Sequence, residues 1–357
     1  DSLKAGQTRK IKVRVKYRDD LNPEDLPTED KSIDLSFQVT YVQADERVTK
    51  STPSIMAAGT LKTNVDSSKI TKIEFKVDEE IPTTAIDSWD VSQNQDESVM
   101  AYIEDDKTGN GTYKVTIVGD GNVTANENSS GMFSGFRNLK ELDLSNLDTS
   151  QVTNMQGMFA SCNSLTSIDL SNINLSNVTN MEAMFASCNS LTSIDLSNIN
   201  LSNVTNMEAM FASCNSLTSI DLNNKDLSNV TSMSNMFMGD SNLTRVNFSN
   251  INLSSVTNMS GMFGGCSNLT SMDLSNTNLS SVTNMSGMFG GCNNLTTTIT
   301  IKSSNITNYH GMFNYAATNS DAKITVNYTE ETSSLVDQMI ATKSENSNVV
   351  KGSLVSN

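Results

Sequence analysis

The dipeptide Met-Phe returns at 132/133, 158/159, 184/185, 210/211, 236/237, 262/263, 288/289 and 312/313, a spacing of 26 residues six times and then of 24. A fixed period of that size means one supersecondary unit per copy, too small to bury its own apolar face and stabilised by stacking on the next. Residues 160–185 are repeated letter for letter at 186–211.

Within a copy the apolar pattern changes period. Leu165, Ile168 and Leu170 alternate with Thr166, Ser167, Asp169 and Ser171, the signature of a short strand with one buried edge and one wet face. Ile173, Leu175 and Val178 then punctuate a Ser/Asn-rich turn. Met181, Met184, Phe185 and Cys188 follow at i, i+3, i+4 and i+7, one face of a helical turn or two, with Thr179 or Asn180 placed to cap it. The pairs Gly264-Gly265 and Gly290-Gly291 in later copies imply that these helices are short. The expected fold is an α/β solenoid: a leucine-rich-repeat array with short parallel strands and short helices, capped at both ends and preceded by a β-rich N-terminal segment.

The string MFxxCxxLxxIDLSNxxxSNVTNMxxMF, spread over 131–316, resembles the repeat of BspA-type leucine-rich-repeat surface proteins. The stretches SWDVSQNQDESVMAYIEDD and ITVNYTEETSSLVDQMIATKSENSNVVKGS resemble the flanks of such arrays. The resemblance implies a bacterial protein that is secreted or at the cell surface and serves adhesion, with a host or neighbouring-cell protein or glycan as partner. It names no ligand.

Charge and composition narrow the chemistry. A net charge of −16 argues against neutralising nucleic-acid phosphates, so no nucleic acid is expected as a partner. No run approaches the roughly 20 apolar residues of a membrane span, so membrane insertion is not expected either. The single histidine, His310, leaves little acid–base or transition-metal chemistry at neutral pH, and no enzyme is expected.

Cys162, Cys188, Cys214, Cys266 and Cys292 share one column, four residues after the methionine, and are expected as buried small thiols rather than disulfides, because side chains pointing the same way bridge poorly. Met155, Met181, Met207, Met233, Met259 and Met285 are expected as core.

The candidate site is the open strand face. The column Asp143, Asp169, Asp195, Asp221 and Asp273 places like charges side by side, expected as a solvated acidic stripe, with a cation such as Ca2+ bound by the row as the alternative. No other metal or cofactor is expected. Thr166, Thr192 and Thr218 flank the stripe on one side and Ser171 and Ser197 on the other, while Arg245 interrupts a serine column. Asp240 stands in the cysteine column, and Lys225 with Asp226 replaces an apolar turn residue and its neighbour, so those copies are expected to differ in surface.

Four segments follow. Residues 1–52 are expected as a β-strand segment that is part of a β-sandwich; 53–130 as an N-terminal cap with strands around a short helix near Ala85–Val91; 131–316 as the array; and 317–357 as a C-terminal cap, with KITVNY a strand and SSLVDQMIATK a helix turning Leu335, Val336, Met339 and Ile340 inward. In residues 1–52, Ile11, Val13 and Val15 on one strand and Leu35, Phe37 and Val39 on the other are candidate assembly strands. Two strands alone are marginal in water, so they pack on the cap or complete a β-sandwich with strands from upstream or from another molecule. SFQVTYVQA resembles the closing strand of secreted TasA/camelysin-type subunits, which implies copies of the chain itself as partners in a filament or surface layer built by strand addition.

Overall fold

Apolar–polar alternation becomes strand where it runs longest. The computed structural model describes residues 54–119, 121–274 and 277–356. The expectations for residues 1–52, assembly strands and TasA-like ending included, lie outside the described residues. Ahead of the array come β1 (Ser54–Ile55), β2 (Ile70–Val77), β3 (Asp87–Asp90), β4 (Val99–Asp105), β5 (Tyr113–Gly119) and β6 (Val123–Thr124). Within the first copy lie β7 (Glu141–Asp143) and β8 (Leu147–Asp148). Further along are β9 (Ser219–Asp221), β10 (Arg245–Asn247), β11 (Ser271–Met272), β12 (Thr296–Ile301), β13 (Lys323–Tyr328), helix α1 (Ser333–Ile340) and β14 (Val349–Leu354).

These make three sheets in which parallel pairing dominates, ordered β1-β6-β8, β3-β4-β5-β2-β7 and β14-β13-β12-β11-β10-β9. The first copy joins the preceding sheet through β7, which lies parallel to β2 with Lys72 opposite Glu141. The last copies run through β12 into β13 and β14, all parallel. In α1, Val336 and Met339 are buried and Leu335 and Ile340 pack partly against the core.

The helix expected near Ala85–Val91 is absent. Asp87–Asp90 is strand, antiparallel to β4 with Trp89 opposite Ala101, and the Trp89 indole N–H donates to Lys62 O at 2.7 Å. Alternating residues beside an available strand pair with it rather than coil.

The short helix of each copy is also corrected. Met184 N–H bonds back to Met181 O, Ala186 to Ala183 and Cys188 to Phe185, a succession of i→i+3 turns. The N–H groups between them, on Met181, Ala183, Phe185 and Ser187, donate to Asn206, Glu208, Met210 and Ala212 of the next copy at 2.7–2.9 Å. A helix would satisfy its N–H groups within its own copy and leave none to join neighbours. Ala183 and Ser187 have φ of 53° and 62°, left-handed values that an α-helix excludes. Gly287 and Gly291 occupy the same two places with φ of 62° and 73°, so these glycines supply turn geometry and do not shorten a helix.

This turn side is continuous. Bridges join Asn128, Asn154, Asn180, Asn206, Ser232, Asn258, Asn284 and Asn308 in parallel register through every copy. The strand side is not: residues 165–171 and 191–197, expected as strands, carry no strand pairing, although Thr192 N–H still donates to Thr166 O at 3.1 Å.

The core lies between the two sides. Phe133, Phe159, Phe185, Phe211, Phe237, Phe263, Phe289 and Phe313 are buried and stack ring on ring, centroids 5.3–6.0 Å apart and planes within 15°. Phe75 of β2 meets the first ring edge-on at 6.3 Å, closing that end. The six column methionines are buried, at most 1% exposed. All five cysteines are free and buried.

Candidate functional site

Alternation in the LTSIDLS segment decides which side chains reach solvent: Ile168, Leu170 and Ile220 turn inward while Thr166, Asp169, Ser171 and their equivalents turn out. Thr166, Thr192, Thr218, Asp143, Asp169, Asp195, Asp221, Asp273, Ser171, Ser197 and Arg245 are all exposed. The structure therefore brings the candidate residues onto one face, one set per copy.

The carboxylates of the stripe have local work. Asp143 Oδ1 accepts from Ser145 N–H at 3.0 Å, Asp169 from Ser171 and Asp195 from Ser197 at 2.8 Å, and Asp221 from Asn223 at 2.9 Å. Each is an Asx turn that ends the strand segment. Those backbone N–H bonds hold the carboxyls of Asp143, Asp169 and Asp195 below the usual range, even though Asp143 and Asp195 push Asp169 the other way. The charged form is therefore favoured at Asp143, Asp169 and Asp195, and at Asp169 hydrogen bonding outweighs the like-charge repulsion. Among the described residues no three His, Cys, Asp or Glu side chains are grouped to bind a metal ion.

The threonine column is a ladder. Thr192, Thr244 and Thr270 donate both N–H and Oγ1–H to the carbonyls of Thr166, Thr218 and Thr244 one copy earlier, the hydroxyl bonds at 3.0–3.2 Å. Those hydroxyls still offer lone pairs outward, so the face presents acceptors more than donors. A second ladder on the turn side, Thr179, Thr205, Thr231, Thr257 and Thr283, repeats the arrangement.

Two departures from the repeat gain roles that the letters did not announce. Lys225 Nζ donates to Ser197 O at 2.7 Å and Ile199 O at 3.1 Å, satisfying carbonyls at the edge of the unpaired strand segment, and its charge also lowers the Asp195 carboxyl. Asp240, expected to alter the surface, is fully buried. Its position in the cysteine column was the signal, since the column sets burial whatever residue occupies it. One depression, lined by Thr277, Leu279, Thr300 and Lys302, is open to solvent. No helix among the described residues is long and apolar enough to cross a membrane.

Residues 110–222 and 213–326 match a family model described as "Mycoplasma protein of unknown function, DUF285". Those residues include the array on which the BspA-type resemblance rests. No curated protein and no solved structure matches the chain.

Proposed function

The chain belongs to the DUF285 family, and from that premise we propose that it is a non-catalytic, BspA-like bacterial surface protein, displayed outside the cell, whose array is a leucine-rich-repeat solenoid and whose polar face binds a host or neighbouring-cell protein or glycan. The observation that carries this reading is the repetition of one exposed set, Thr166-Asp169-Ser171, as Thr192-Asp195-Ser197, with Thr218 and Asp221 continuing it, each member positioned by backbone bonds of its own or the adjacent copy. An extended partner meets nearly the same acceptors at three successive copies and gains many weak contacts without needing an enclosed cavity. Side chains already anchored lose little further freedom on binding.

The test is adhesion. Beads coated with the full chain are expected to bind epithelial cells or spots of a glycan array. Replacing Asp169, Asp195 and Asp221 together by Asn, which removes the charges but keeps an acceptor for each Asx turn, is expected to weaken that binding sharply while the urea midpoint at neutral pH stays close to the parent's. Unchanged binding would remove the face from the account.

A second reading, a filament or surface-layer subunit built by strand addition, is favoured by the outer position of β14 in the six-stranded sheet among the described residues. Filaments in electron micrographs of the purified chain, lost when residues 1–52 are removed, would decide for it.

A further inference from the structure

In five copies the cysteine thiol donates to the carbonyl of the phenylalanine one copy earlier: Cys162 to Phe133, Cys188 to Phe159, Cys214 to Phe185, Cys266 to Phe237 and Cys292 to Phe263, at 3.0–3.2 Å. The carbonyl left out of this series is that of Phe211, and the residue in the corresponding position is Asp240. Asp240 is fully buried. Its Oδ1 accepts from Cys214 N–H at 2.7 Å, and its Oδ2 has no hydrogen-bond partner.

Phe211 O and Cys214 N–H are the two ends of a single i→i+3 turn, so the turn presents one acceptor and one donor together. A carboxylate can only accept, whereas a carboxylic acid accepts with one oxygen and donates with the other. We propose that Asp240 is a neutral carboxylic acid in the folded chain, its Oδ2–H donating to Phe211 O where other copies use a thiol, so that this junction of the array is fastened by a proton and loosens when the proton leaves. On loosening, the O–H electron pair stays on Oδ2 and the proton passes to solvent.

The titratable groups facing Asp240 are the thiols of Cys214 on one neighbouring copy and Cys266 on the other. Burial raises both far above the ordinary thiol range, and neither brings a positive charge. Burial likewise pushes the Asp240 carboxyl up to about 9. The unfolded chain releases this proton near the ordinary aspartate value of about 3.9. Between those values the folded chain binds one proton more at Asp240 than the unfolded chain, so the contribution of this residue to stability is greatest below about pH 4, falls as pH rises and levels off above about pH 9.

Asp240→Asn keeps one donor and one acceptor in place and cannot ionise. Urea unfolding of the full chain and of D240N from about pH 5 to about pH 8 is expected to show the parent's folding constant dropping relative to the variant's by up to about tenfold per pH unit. Parallel profiles would overturn the proposal. Infrared spectra of the native parent serve even if D240N does not fold: a protonated-carboxyl band present at neutral pH and lost above about pH 9 supports the proposal, and its absence at neutral pH defeats it.

Discussion

Each copy has two sides that meet the same neighbours in different ways. The Met-Phe side passes four backbone bonds to the next copy through an unbroken series of bridges and buries a continuous column of rings. The LTSIDLS side pairs as strand in β7 and again from β9 onward, and between them, in the two identical copies, it does not. The difference teaches that cohesion here comes from turns whose alternate N–H groups point along the array. The strand side contributes less to that cohesion and carries the exposed chemistry.

The largest test of this contrast is Phe211→Ala. The ring is buried between Phe185 at 5.6 Å and Phe237 at 5.7 Å, so truncation is expected to cost about 3–5 kcal/mol by equilibrium urea unfolding. Ile194→Ala, on the strand side and only partly buried, is expected to cost about 1–2 kcal/mol. Equal losses would break the comparison.

Next comes Lys225→Met, which removes the two bonds to Ser197 O and Ile199 O; a loss of about 1 kcal/mol is expected, together with faster amide hydrogen exchange confined to the strand side of residues 191–199. Exchange that quickens equally around Met207–Cys214 would mean that the two sides open together.

A smaller effect of opposite sign is expected at Ala209, whose φ of 52° is left-handed. Ala209→Gly relieves that strain and is expected to gain about 0.5 kcal/mol in thermal or urea unfolding, a loss there contradicting the turn geometry.

The smallest concerns the stripe. Carboxyls held below their usual range contribute stability that is present above about pH 3.9 and lost as pH falls through the folded values. The double variant Asp169→Asn, Asp195→Asn is expected to show a shallower loss of thermal midpoint in acid than the parent. An identical acid slope would mean that the Asx turns do not hold these groups.

Much of this was legible in the letters. The period assigned Met181, Phe185 and Cys188 to the core, and alternation assigned Thr166, Asp169 and Ser171 to solvent. What spacing could not separate is a helix from a run of turns, because i, i+3, i+4, i+7 describes the buried face of both. The distinguishing signal was vertical, in the column Gly157, Ala183, Ala209, Asn235, Gly261 and Gly287, where small residues and asparagine mark left-handed φ. The roles of the Thr192 hydroxyl and of Lys225 depend on atoms one copy away, which no single copy contains. Asp240 departs from expectation because its place in the cysteine column, and not its polarity, sets its burial.

The letter-identical copies at 160–185 and 186–211 have a further consequence for how the chain finds its arrangement. Sliding one by a whole unit against the other restores the same contacts, so neither copy holds an address of its own. Correct threading must be dictated from the unlike parts of the chain, where β2 recognises β7, Lys225 reaches Ser197 O and β12 recognises β13. That identical pair is interchangeable stock, free to lengthen or shorten by a whole unit provided its unlike neighbours still close upon it.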